Sequence, residues 1–140
     1  MKFDAAIHKC VMVVDKGLGR GHAANAIGVI GVSFGGAIEG LVGPDLHSRD
    51  GINYPGVIYA PLPILVSDNA LLHSLQEKAL ADEGVHVMPF SALAQSCKTY
   101  EEYESRIAEA DSPAIELVAI GLVGPKKLIS KLTGNLALFK

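Results

Sequence analysis

The chain has 140 residues and a mass of 14.7 kDa, enough for one compact domain and too little for two. Hydrophobic residues make up 49% and charged residues 19%, so burial offsets the entropy of ordering and a disordered chain is excluded. Cys10 and Cys97 stand far apart without CxxC spacing, which excludes a disulfide scaffold and fits free thiols in a reducing cytosol.

Taken in chain order, residues 10–14 (CVMVV) are a short β-branched run bounded by Lys9 and Asp15, and read as a buried strand. Residues 16–21 (KGLGRG) read as a glycine turn. From His22 the pattern becomes helical, with Ala23, Ala26, Ile27, Ile30 and Phe34 at the 3.6 period. Gly28, Gly31, Gly35 and Gly36 would each cost that helix ~1 kcal/mol against alanine. The expectation is that the missing side chains let the helix lie close on a sheet, or that it breaks near 33–36. Pro44, Asp45, Asp50, Gly51, Asn53 and Pro55 mark 43–56 as loop.

Strand material follows at 57–59 and 64–66, interrupted by Pro61 and Pro63. Ser67, Asp68 and Asn69 cap a helix predicted over 70–83, with Leu71, Leu72, Leu75, Ala79 and Leu80 on one stripe and Gly84 as its stop. Residues 85–90 make a third strand. Thr99 and Glu102 form a capping box opening a short acidic helix that ends near Ala110. The most apolar strand is 115–123 (IELVAIGLV), stopped by Gly124 and Pro125, and an amphipathic helix over 126–132 ends at Gly134. Strands and helices alternate four times. The reading is a single α/β domain over 1–140, with a mostly parallel or mixed sheet and helices on both faces.

No membrane partner is expected. Lys2 and Asp4 precede any apolar run, the uncharged helical stretch 23–38 falls short of the ~20 residues a span requires, and prolines interrupt 52–67. The expected location is therefore cytoplasmic. The net charge of −3 provides no field to draw in nucleic acid. Its distribution is uneven: residues 1–40 carry +1, 41–68 carry −2, 69–111 carry −5 and 112–140 carry +3. Should the two ends of the chain meet, they would form a basic face on an acidic protein; solvated helix faces are the plainer alternative.

The strongest local candidate for chemistry is the first strand–turn–helix, Asp15 to His22. Gly17, Gly19 and Gly21 let backbone approach a ligand, the following helix start presents unpaired N–H groups, and Lys16, Arg20 and His22 add positive charge. That constellation suits an anion such as phosphate. It is neither a Walker A loop nor GxGxxG. Asp15, at the end of the strand, either faces a ligand or satisfies turn N–H groups; His22 is a candidate general base or a solvated residue. His8, His47, His73 and His86 lack metal-ligand spacing, so neither a metal nor another cofactor is expected. Ser33 formally fits GxSxG, but a nucleophile elbow needs a strand directly before the serine, and a helix is predicted there.

Two segments resemble type II peptidyl-tRNA hydrolases. VMVVDKGLGRGHAANA is similar to that family's opening strand, its Asp-Leu-x-Met-Gly-Lys-Gly-Lys turn and its alanine-rich helix. LVAIGLVGPKKLISKLTGNLALF is similar to its closing strand, Gly-Pro turn and Leu-Ile-x-Lys-Val-Thr-Gly-x-Leu-x-Leu pattern, with Leu128, Ile129, Lys131, Thr133, Gly134, Leu136 and Leu138 matching. The resemblance implies a three-layer α/β/α sandwich around a four-stranded mixed sheet, a homodimer, and metal-independent hydrolysis of the ester between peptide and tRNA. It places Asp15, Gly19 and Gly21 on the turn's aspartate and glycines, Arg20 on its first lysine and His22 on the second, catalytic, lysine. Ala26 and Val29 stand where the family has Gln and His. Its Asp-Ala-Gly-Arg-Thr-Gln segment is replaced by residues 88–95 (MPFSALAQ), followed by an acidic insert at 98–111. These departures resemble those of a family of small bacterial proteins of uncharacterised function that shares the fold.

Three functions follow as expectations. The first is binding of a phosphate-bearing small ligand or nucleotide by Lys16, Gly17, Gly19, Arg20 and Gly21, with Asp15 ordering the turn. The second is a peptidyl-tRNA hydrolase-like esterase in which His22 replaces the lysine and Asp15 assists, with tRNA as partner. The third is a dimeric interaction module built on the glycine helix or the tail.

Overall fold

The computed structural model describes residues 1–140. Its centre is a five-stranded mixed sheet in the order β5-β6-β1-β4-β7. Strand β1 (His8–Asp15) runs parallel to β4 (Ile64–Ser67) and antiparallel to β6 (Leu117–Pro125). The edge strands β5 (His86–Ser91) and β7 (Ala137–Leu138) pair antiparallel with β6 and β4. Only one of the four pairings is parallel, which settles the sheet as mixed. The expectation of four strands is corrected to five: the tail turns back after α5 (Lys126–Thr133), and Ala137 and Leu138 pair with Val66 and Leu65. A two-residue edge strand has no run long enough to show an alternation.

Alternate residues of β1 enter different cores. Cys10, Met12 and Val14 face α1 (Arg20–Ala37), meeting Ala26, Ile30 and Phe34. Val11 and Val13 face α2 (Asn69–Leu80) and α5, meeting Leu72, Leu75 and Ile129. A strand buried on both faces carries no polar alternation, which is why 10–14 reads as a plain apolar run. Each such side chain contributes roughly 1.5–3 kcal/mol on burial.

The helix glycines do not do what was expected of them. Added Cβ atoms at Gly28, Gly35 and Gly36 meet nothing within 4 Å, and one at Gly31 meets only a Met12 methyl at 3.8 Å. The close approach is made from the sheet side. A Cβ on Gly121 of β6 would fall 2.4 Å from Phe34 Cζ and 2.6 Å from Ile30 Cγ2. Nor does α1 break near 33–36; it runs to Ala37.

Residues 57–59 are not a strand of the sheet. They close a ribbon that leaves the body after α1: Ile58 bridges Val42, and β2 (Leu46–His47) pairs with β3 (Asn53–Tyr54) in a stretch read as loop. Asp68 caps α2 by accepting from the Leu71 N–H, as expected, but the helix ends at Leu80 rather than 83. A short helix α3 (Ala92–Ser96), absent from the sequence reading, follows β5 and packs against α4 (Tyr100–Ala108). The last long strand starts at Leu117 rather than 115, because Ile115 caps a 3-10 turn over Ser112–Ala114.

Candidate functional site

Strand β1 delivers Asp15 to the end of the sheet where β4 also terminates, and the helices that follow the two strands go to opposite faces. That divergence is the position at which open α/β sheets form ligand crevices. Here the position is tied by hydrogen bonds. Asp15 Oδ1 accepts from the Gly17 N–H at 2.9 Å, and Oδ2 accepts from Asn69 Nδ2 at 3.1 Å. The same Nδ2 donates to the Leu117 carbonyl at 2.7 Å. One amide group thus joins β1, α2 and β6. Both oxygens of Asp15 are engaged in holding the turn, which is a positioning task.

Beyond Asp15 the turn is open. The Lys16 N–H donates to the Ser67 carbonyl and the Leu18 N–H to that of Asp15, but the N–H groups of Gly19, Arg20, Gly21 and His22 meet no protein acceptor. Gly19 caps α1 without a side-chain bond, and the first turn holds no acidic residue. The side chains of Lys16, Arg20 and His22 are exposed and form no hydrogen bond or ion pair with the protein. Gly17, Gly19 and Gly21 have no positive φ, and added Cβ atoms there would meet nothing closer than 3.4 Å. Folding does not demand glycine at these positions.

The structure therefore gathers Lys16, Gly17, Gly19, Arg20 and Gly21 at the entry to α1. It does not join the two candidate catalytic residues, since no hydrogen bond links His22 to Asp15. His22 has a different neighbour: Gln95 of α3 donates through Nε2 to the His22 carbonyl at 2.9 Å and to Asn25 Oδ1 at 3.1 Å. Sequence reasoning assigned Asn69 only to a cap, and placed Gln95 in the segment that replaces the family's Asp-Ala-Gly-Arg-Thr-Gln without deciding whether it supplies a lost catalytic group. A signal for Asn69 existed, because Asp68 already supplies the cap and leaves the next amide free. Gln95 carried none, since its partners lie 70 or more residues away.

Two large concavities lie away from the turn. One of about 670 Å³ lies between α1, β5 and α4, lined by Val29, Phe90, Cys97, Lys98 and Tyr100 among others. Ser33 reaches it from within the unbroken helix, so no nucleophile elbow exists. Arg106 anchors the acidic helix there, pairing with Glu102 at 3.3 Å and donating to Ser96 Oγ at 3.2 Å and Cys97 Sγ at 3.6 Å. Cys10 is fully buried, and burial pushes its thiol up to about 11, so it stays protonated and inert. His86 is held below its ordinary value, first by burial and then by the positive charge of the amino terminus. At the opposite end of the sheet from the turn, the basic head and tail do meet: Lys9 and Lys126 flank a smaller cleft of about 270 Å³.

The sequence profile of a family of proteins of unknown function, DUF2000, matches residues 8–140. The chain belongs to that family. No curated protein matches it by sequence. A solved structure of a protein of unknown function from Agrobacterium tumefaciens is similar at a TM-score of 0.78 and 13% identity, covering 95% of this chain and 98% of the other. At that identity the likeness shows a shared fold, which extends the architecture seen here well beyond sequences that resemble one another. The DUF2000 match spans both the open turn and the tail strand, so every feature of the site lies inside the family's region.

Proposed function

We propose that the protein binds a phosphate-bearing small molecule, a nucleotide or sugar phosphate, at the entry to α1. The observation that carries this reading is the run of four consecutive free N–H groups from Gly19 to His22, at the start of an 18-residue helix with no capping side chain and no nearby acid in its first turn. Such a helix start favours an anion through both its N–H groups and its dipole. Lys16 and Arg20 supply full charges, and the three glycines leave backbone bare where folding makes no such demand. Asp15 keeps the turn in shape through Gly17 and Asn69. Calorimetric titration with nucleotides and sugar phosphates tests the reading. Saturable binding, weakened at least tenfold by Arg20→Ala, is expected; no saturation, or equal affinity in the variant, overturns it.

A second reading, a peptidyl-tRNA hydrolase-like esterase on the corresponding sandwich, draws support from Gln95. It belongs to the segment that replaces the family's Asp-Ala-Gly-Arg-Thr-Gln, and its amide holds the carbonyl of His22. Against it stand the engaged oxygens of Asp15 and the acidic helix α4, which opposes a polyanion. Cleavage of a peptidyl-tRNA analogue that His22→Ala abolishes would establish it, and equal rates in both proteins would remove it.

A further inference from the structure

We propose that the ribbon closed by Val42 and Ile58 is an exchange arm, whose apolar face lies on helix α1 of a second copy of this chain. Leu46 stands directly opposite Tyr54 and His47 opposite Asn53, and the Ser48 N–H donates to the Ile52 carbonyl at 3.0 Å. Side chains alternate along a strand, so this register puts Leu46, Ile52 and Tyr54 on one face. The other face holds Asp45, His47 and Asn53. There the Asp45 carboxylate accepts from Asn53 Nδ2 at 3.3 Å and from the Gly56 N–H at 3.0 Å. The ribbon is thus amphipathic and cross-tied, yet Leu46, Ile52 and Tyr54 are 65%, 57% and 60% exposed. A two-stranded ribbon is marginal in water unless one face packs against something. Contiguous apolar exposure marks a contact surface, where single exposed apolar residues do not.

A matching cover is present on the same chain. From Gly21 to Ile38, helix α1 and its C-terminal cap contain no Asp, Glu, Lys or Arg. A surface helix ordinarily turns charged residues outward; this one turns out Gly28, Val32, Gly35 and Gly36, with Val32 79% exposed. The space above the three glycines is empty, so within one molecule their bareness serves no packing contact. It leaves Val32 as a ridge between two hollows, each about one turn away, into which knobs such as Leu46, Ile52 and Tyr54 fit. The lengths agree, at about 23 Å from Gly43 to the ribbon tip near Asp50 and about 27 Å for the 18 residues of α1. The areas favour a second copy over contact of like with like. Each face offers on the order of 300–400 Å², about half of the ~800 Å² per partner that a stable interface buries. A two-fold pair in which each ribbon lies on the other's α1 uses both faces of both chains, and it closes without a free end that could polymerise. The contact involves the middle and C-terminal half of α1, and it does not rest on phosphate binding at the helix entry.

Sedimentation and light scattering of the full-length protein over a concentration series test this. The expected parent species is a dimer of twice 14.7 kDa. Val32→Glu and Tyr54→Glu each place a charge in the contact twice, once per symmetry-related copy, and are expected to weaken dimerisation at least about a hundredfold. Both side chains are exposed, so the amide NMR spectra of the two monomers should remain native; Leu46→Lys replaces Tyr54→Glu if that spectrum does not. The deciding sample is an equimolar mixture of the two variants. The helix of the Tyr54→Glu chain and the ribbon of the Val32→Glu chain are both intact, so one contact re-forms. Dimer is then expected at concentrations where either variant alone is monomeric. Ribbon-on-ribbon pairing would spare Val32→Glu, helix-on-helix pairing would spare Tyr54→Glu, and neither allows rescue by mixing; each of these results overturns the proposal. So does a parent protein that stays monomeric at NMR concentrations, which would leave the two faces to a different protein.

Discussion

The two ends of the central sheet are built on different terms. At the Asp15 end every buried polar group has a partner: the carboxylate holds the turn, Asn69 holds the carboxylate and the Leu117 carbonyl, and only the outward surface of the turn is left unsatisfied. At the His8 end the side-chain contacts are single and exposed: His8 accepts from the Asp4 N–H at 2.9 Å, and the Lys9 ammonium reaches the Ser130 hydroxyl at 3.4 Å. The first end shows a scaffold completed internally, with backbone donors aimed at solvent. The second is tied by one bond per side chain, at the protein surface.

The largest expected effect lies between the ends, where β6 carries both. Gly121→Ala drives a methyl group into Phe34 and Ile30, and should cost about 3 kcal/mol or more, read as a lower midpoint in urea unfolding. Gly28→Ala, in open space on the same helix, is the control, and should stabilise by about 0.5–1 kcal/mol. Equal effects at the two positions would show that α1 does not lie on β6 as described.

Asn69→Ala should loosen the Asp15 end alone, costing about 1–3 kcal/mol because a buried carbonyl and one carboxylate oxygen lose their donor. Hydrogen exchange should speed up at residues 15–18 and 117–118 and stay unchanged around Lys9. Acceleration at both ends would break the comparison.

The smallest effect belongs to the His8 end, where His86 on β5 lies edge-on to the Phe34 ring. Its pKa is depressed in the fold, so the unfolded chain binds more protons in the window below about 6.5. Its contribution to stability is complete above that value and is lost as pH falls through the lower folded value. Thermal melts between pH 7.5 and 5 should show a shallower decline in His86→Gln than in the parent protein. An identical decline would assign the acid sensitivity to other groups.

Much of the scaffold was legible because its signals are local. The run at 10–14, the Asp68 cap, the Thr99 cap and the apolar strand before Pro125 each announce themselves within a few residues. The turn at 16–21 was equally plain, and its open N–H groups follow from a glycine cap. What escaped was non-local. Strand β7 exists because Val66 and Leu65 offer an edge, and the ribbon pairs residues six to sixteen positions apart through a stretch dense in turn formers. The role of Gln95 depends on α3 crossing the first turn of α1.

From the sequence alone came the α/β class, the order of the main elements and the basic glycine turn, because periodicity, capping and turn chemistry act over one or two turns of chain. Only the tertiary structure decided that Asp15 is spent on Gly17 and Asn69, and that close packing of α1 is granted by Gly121 rather than by the helix glycines. It also decided that the basic head and tail meet at the end remote from the turn. These outcomes depend on which residues of distant strands become neighbours, and strand register is set by the whole core at once rather than by any segment of it.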